Sequence, residues 1–144
     1  RMDPNIWGPV AWNYLHFLSI SYPDKPTKID IDNNKKFLRI FADILPCIKC
    51  REHFKSYIQS KDLDIELDSK QKYMKLVWNL HNNVNESLAK DKIEFSVFLR
   101  LYQDIIDSGK FNPIDIKKEN TMLRRILYLV LIITFCIILY QIIY

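Results

Sequence analysis

Apolar residues along most of the chain recur at helical spacing, and no alternating run is long enough to argue for a sheet. Pro9 suits the first turn of a helix reaching about Tyr22, where Pro23 forbids continuation. A second helix is expected from near Asp32 to just before Pro46, burying Phe37, Ile40, Phe41 and Ile44 at i, i+3, i+4, i+7. The third begins at Cys47 and Cys50, turns Phe54, Tyr57 and Ile58 inward and fades near Ser60, before an acidic loop from Asp62 to Asp68. Asp68 or Ser69 caps a long fourth helix with Tyr73, Leu76, Val77, Leu80, Val84 and Leu88 in register. The fifth runs from about Ser96 to Ser108, with Phe98, Leu101, Tyr102 and Ile105 on one side and Gly109 as its left-handed stop. Five helices with short links predict an all-α bundle.

After Arg125 the pattern changes. The segment ILYLVLIITFCIILYQIIY, residues 126–144, contains no charge, and its polar breaks are Thr134 and Gln141. As a helix it is about 28 Å long, close to the ~30 Å of a bilayer's hydrocarbon layer. A single C-terminal transmembrane anchor is expected. Lys117, Lys118, Arg124 and Arg125 crowd its N-terminal side, which places the preceding domain in the cytoplasm by the positive-inside rule. No signal peptide is expected, since Arg1 to Tyr22 shows no apolar stretch followed by a small-residue cleavage site. The organisation read from the chain is a helical domain over 1–112, a basic connector over 113–125 and the anchor over 126–144.

Composition narrows the chemistry. With 144 residues, 49% hydrophobic and 13% aromatic, the soluble part is one ordered domain. The 21 Lys and Arg mingle with 17 Asp and Glu for a net charge of +4, which disfavours nucleic-acid binding. Two glycines, Gly8 and Gly109, exclude a Rossmann or phosphate-binding loop. Of three cysteines, Cys136 lies in the apolar tail as filler, so Cys47 and Cys50 carry the chemical interest.

Pro46-Cys47-Ile48-Lys49-Cys50 stands at a predicted helix start, where unpaired N–H groups and the helix dipole favour a thiolate, and Lys49 and Arg51 add positive charge. Such a pair can close and open a small disulfide ring without unfolding the domain, as thiol-disulfide exchange requires. The rival is half of a zinc site completed by His53, His81 or His16, although there is no second CxxC. A second cluster is Trp78-Asn79-Leu80-His81-Asn82-Asn83-Val84-Asn85, where 78, 81, 82 and 85 share one helical stripe. Asparagines at 82, 83 and 85 weaken a helix interior, so another requirement has shaped this stretch. A third is Trp7 to His16, with Gly8, Trp12 and His16 spaced by four; core packing explains its tryptophans equally well.

In this order, WGPVAWNYLHFLSISYP, LPCIKCREHF and WNLHNNVNESLAK resemble the three signature blocks of the Erv/ALR family of FAD-linked sulfhydryl oxidases, over about residues 5 to 102. The resemblance implies a four-helix bundle with a short fifth helix that holds FAD without a Rossmann fold. It assigns Cys47 as the interchange cysteine and Cys50 as the one beside the flavin. Gly8, Trp12, His16, Tyr22, His53, Trp78, His81, Asn82, Val84, Asn85, Leu88 and Lys90 become cofactor-binding positions, with Phe95 and Tyr102 as weaker candidates for the same pocket. The implied reaction moves two electrons from a substrate dithiol through Cys47 and Cys50 to the flavin, then to O2, giving hydrogen peroxide. No metal is required. The competing reading is a non-enzymatic tail-anchored helical adaptor with a structural or zinc-binding CxxC.

Where many family members carry the first cysteine of an extra structural pair, this chain has Ser96, so that staple is missing. The shuttle CxxC of cellular members is also missing, which points to a protein dithiol or a small thioredoxin-like carrier as electron donor. A minimal domain of this kind resembles the branch found in large DNA viruses, whose oxidase faces the cytoplasm. Family members commonly form homodimers through the first helices, with Trp7, Tyr14 or Phe17 available here.

Overall fold

A computed structural model of the chain describes residues 2–111, 126–135 and 137–140. Six helices occupy the first stretch: α1 (Pro4–Ile20), α2 (Lys28–Ile44), α3 (Ile48–Gln59), α4 (Leu63–Glu66), α5 (Lys70–Ser87) and α6 (Phe95–Ser108). Among the described residues there is no strand, so the all-α expectation holds. The chain divides into two compact units, Arg1–Gly109 and Lys110–Tyr144. In the second, residues 126–135 and 137–140 are helical. Among the described residues no helix is long and apolar enough to cross a membrane. Of the expected anchor, 136 and 141–144 lie outside the described residues, as does the whole expected connector over 113–125.

Local capping explains where the helices start, and it corrects two expected boundaries. Asp3 accepts the Asn5 N–H with its carboxylate and Pro4 opens α1, so the helix begins five residues before Pro9, which lies inside it. Thr27 and Asp30 form a reciprocal capping box, so α2 begins at Lys28 rather than near Asp32. Part of the expected acidic loop coils into α4, capped by Asp62 onto the Asp64 N–H. Ser69 caps α5, and Gly109 ends α6 at φ 62°.

α5 is the hub. It packs along α1 and also meets α3, α4 and α6, while α2 packs along α3. Its Tyr73, Leu76, Val77 and Leu80 are buried against Leu15, Leu38, Ala42, Phe54 and Ile58. Each buried Leu, Val, Ile or Phe among them stabilises the fold by roughly 1.5–3 kcal/mol through the apolar area it removes from water. One expectation about α2 fails: its buried residues are Leu38 and Ala42, while Ile40 and Ile44 are 59% and 66% exposed. Phe37 and Phe41 are half-buried at the core's edge, so the inward stripe is rotated from the one the periodicity suggested. The cause is a sequence whose apolar residues cover more of α2 than one neighbour can bury.

Packing and hydrogen bonds hold α6 and the end of α1 to the bundle. α6 is held to α1 by the buried Tyr102 hydroxyl, which donates to Asn13 Oδ1 at 2.6 Å, while Asn13 Nδ2 donates to the Pro9 carbonyl. Tyr22 ties the end of α1 to the turn after α4, its hydroxyl donating to the Leu67 carbonyl at 2.9 Å.

Candidate functional site

Cys47 is the N-cap of α3, and its sulfur accepts the Cys50 N–H at 3.2 Å. Cys47 and Cys50 are joined as a disulfide across a Cα separation of 5.1 Å. The first turn of a helix presents N–H groups with no carbonyl partner, so a thiolate released here sits in a favourable field. Arg51 folds back and donates from Nε to the Leu45 carbonyl, fixing the approach to the pair, whereas Lys49 is exposed. Cys50 packs against the core cluster. Among the described residues no group of three or more His, Cys, Asp or Glu is arranged to hold a metal ion.

A second centre forms where α1, α5 and α6 converge. Trp12 stacks on His81 with ring centroids 4.3 Å apart and planes 7° from parallel. His16 Nε2 and His81 Nδ1 are 2.9 Å apart, sharing one hydrogen bond between α1 and α5. His16 Nδ1 is buried without a partner, so the proton of that bond belongs to His16 Nε2: a bare lone pair is cheaper to bury than an orphaned N–H. His16 also lies against Phe98 and Tyr102 at 4.8 and 5.2 Å. Burial drives His16 well below the ordinary histidine range, with His81 adding to it. Burial first, then the nearby Lys90 charge, pushes His81 down to about 4. Both rings are neutral at physiological pH.

The remaining candidate positions fall into two groups. Asn85 is buried, and its carbonyl accepts the Lys90 N–H at 2.8 Å. Val84 is half-buried next to it, while Leu88 and Lys90 are exposed where α5 ends. At Gly8, one turn before Trp12, a Cβ would meet nothing within 4 Å, so that face of α1 borders open space. His53, one turn beyond Cys50, donates from Nε2 to Asn83 Oδ1 at 2.9 Å and bridges α3 to α5. Trp78 and Asn82 are engaged with the main chain of Ile93, and Phe95 packs edge-on to Trp78 at 5.2 Å. Tyr22, an expected cofactor contact, packs edge-on against Tyr73 in the core.

Sequence reasoning missed Asn13 and Asn83. Asn13 is a polar residue buried on the same helix as Trp12 and His16, and that placement in an aromatic stretch was its only available signal. Asn83 meets His53 only because α3 and α5 cross here, which no spacing in the chain encodes.

A helical scaffold that sets a closed CxxC disulfide at a helix start and a stacked Trp-His-His cluster on neighbouring helices defines a dithiol-disulfide oxidoreductase. Over residues 9–103 the chain matches the Erv1 / Alr family, and it belongs to that family. It is 37% identical over 101 residues to protein 347L of invertebrate iridescent virus 6, covering 67% of this chain and 91% of that one. It is 31% identical over 100 residues to the FAD-linked sulfhydryl oxidase of African swine fever virus (isolate Pig/Kenya/KEN-50/1950), covering 69% of this chain and 82% of the relative. The FAD-binding domain of Erv1 from Saccharomyces cerevisiae has the same fold, with TM-score 0.67, 31% identity, and coverage of 72% and 97% of the two chains.

The residues present fit a flavin dinucleotide. The stacked Trp12-His81 pair offers aromatic ring surface, the face of α1 at Gly8 is open, and a redox disulfide stands at the head of a neighbouring helix. Neutral imidazoles and asparagine amides supply the hydrogen-bonding groups that an adenine or isoalloxazine edge requires.

Proposed function

We propose that this chain is an FAD-linked sulfhydryl oxidase that introduces disulfides into protein dithiols. The observation that carries the reading is the Cys47-Cys50 disulfide at the start of α3 in a chain of the Erv1 / Alr family. A substrate thiolate attacks the Cys47 sulfur, breaking the bond to Cys50 and releasing Cys50 as a thiolate. The second substrate thiolate then attacks the mixed disulfide, leaving substrate oxidised and both cysteines reduced. The helix N-terminus holds the released negative charge. When bound, FAD would supply the two-electron acceptor for the reduced Cys47-Cys50 pair, with O2 as the final oxidant giving hydrogen peroxide. Gly8, Trp12, His16, His81 and Asn85 would hold it, with His81 and His16 locked in one tautomer by their shared proton.

The test is a visible spectrum of the purified full chain, followed by oxygen consumption on adding a small dithiol. A flavin spectrum with uptake that vanishes in Cys47→Ser supports the reading, whereas a colourless, inert protein overturns it.

The same reading includes a membrane anchor at 126–144, supported by the uncharged stretch and the basic residues ahead of it. Full chain extracted from membranes by alkaline carbonate would refute it. It also includes a homodimer through the first helices, supported by Ile6, Val10 and Tyr14, spaced by four on α1 and each more than half exposed. A monomeric mass in solution would refute that. A protein dithiol or small thiol carrier donates the electrons.

A further inference from the structure

α5 does not hand over directly to α6. The backbone turns through Ala89 at φ 52°, a left-handed conformation costly for a residue with a Cβ, and Lys90 N–H closes the turn on the Asn85 carbonyl. Residues 88–94 then cross back to the start of α6. At the far end two α5 side chains seize the main chain of one loop residue. Trp78 Nε1–H donates to the Ile93 carbonyl at 2.7 Å, Asn82 Nδ2–H donates to the same oxygen at 2.9 Å, and Ile93 N–H donates to Asn82 Oδ1 at 2.9 Å. Asn82 is only 8% exposed, and both ends of its amide are spent on Ile93. An amide used in this way imitates the pairing of a β ladder where no strand exists. Between these two ends, Lys92 pairs with Glu86 through exposed and therefore weakly coupled side chains, and Ala89 N–H donates to the Glu86 carbonyl.

We propose that residues 88–94 form a strap with its bend at Ala89 and its latch at Ile93, and that Trp78 and Asn82 are positioning residues which keep it closed over the flavin site. This rests on the flavin reading above. It gives these two side chains a task distinct from touching the cofactor: they hold Phe95 against Trp78 and Phe98, the ring that packs on His16. Opening the latch would break three hydrogen bonds at once, so the strap moves as a unit. Flavin exchange is then limited by how often the three hydrogen bonds break.

The experiment uses the full chain in detergent, with two readouts at a temperature where its helical circular dichroism stays native. The first is the rate at which FAD fluorescence is regained on dilution. The second is the rate of trypsin cleavage after Lys90 and Lys92. Trp78→Phe keeps a ring against Phe95 and deletes one hydrogen bond, and is expected to raise both rates about fivefold. Asn82→Leu deletes two and is expected to raise both by roughly tenfold to a hundredfold. Faster flavin release with unchanged loop cleavage would overturn the latch, because it would mean that Trp78 and Asn82 contact the cofactor themselves. Unchanged release would overturn it as well. If Asn82→Leu does not fold, Trp78→Phe decides alone. Should the wild type carry no flavin, the oxidase reading fails, and loop cleavage still tests the latch on its own.

Discussion

His16 on α1 and His81 on α5 face each other with ring nitrogens 2.9 Å apart, and the unpartnered, buried Nδ1 of His16 assigns their shared proton to His16 Nε2. One proton serves the two imidazoles, so a proton added at His81 Nδ1 breaks the contact, and a charge on either ring places a cation in an aromatic pocket. Helix pairing and the presentation of Trp12 therefore depend on both histidines staying neutral.

The pH dependence follows from that. An unfolded histidine titrates near about 6.5, while His81 in the fold is pushed down to about 4 and His16 lies well below its ordinary value. Above about pH 6.5 both states are neutral and this contribution is complete. As pH falls from about 6.5 toward 4, the unfolded chain binds protons that the fold refuses, and stability drops by up to about 1.4 kcal/mol per pH unit for each ring. Denaturant midpoints measured from pH 8 to 4 should be flat at first and then fall. His81→Gln should flatten the lower part of that curve.

Turnover depends on two sulfurs with different positions. Cys47→Ser removes the N-cap sulfur and Cys50→Ser the sulfur packed on the core; each should lower dithiol oxidation by on the order of a thousandfold or more. Both variants should keep bound flavin, because the Trp12-His81 stack is untouched. Oxygen uptake and the visible spectrum of the same sample check the two halves of this expectation. Cys50→Ser that still oxidises dithiothreitol at the wild-type rate would reject its role.

Tyr102 and Asn13 carry part of the α1-α6 connection. Tyr102→Phe strands the Asn13 oxygen in a buried site and should cost about 1–3 kcal/mol. Pairing it with Asn13→Leu removes both polar groups and should recover part of the loss. A non-additive double-mutant cycle in urea shows the coupling, and strict additivity would deny it.

Ala89 holds a left-handed conformation at φ 52°. Ala89→Gly relieves strain of about 1–2 kcal/mol, offset by roughly 0.4–1 kcal/mol from the freer unfolded chain. A net gain near 0.5 kcal/mol, or about 2–4 °C in Tm for a domain of this size, is expected in a thermal melt.

Periodicity and capping chemistry reach far into this protein. The helical spacing of Tyr73, Leu76, Val77 and Leu80 determined the buried face of α5, Pro23 and Gly109 determined two stops, and Cys47 with Cys50 at a helix start determined the redox chemistry. These are local rules, satisfied within a turn or two of chain. The face that α2 buries was left undetermined, because Ile40 and Leu38 are equally apolar and only the position of α3 selects between them. The pairings His16 with His81, His53 with Asn83 and Asn82 with Ile93 also required the tertiary structure. A side chain's hydrogen-bond capacity is written in its residue type, but its partner is set by which helices cross, at separations of 65, 30 and 11 residues that no local pattern spans.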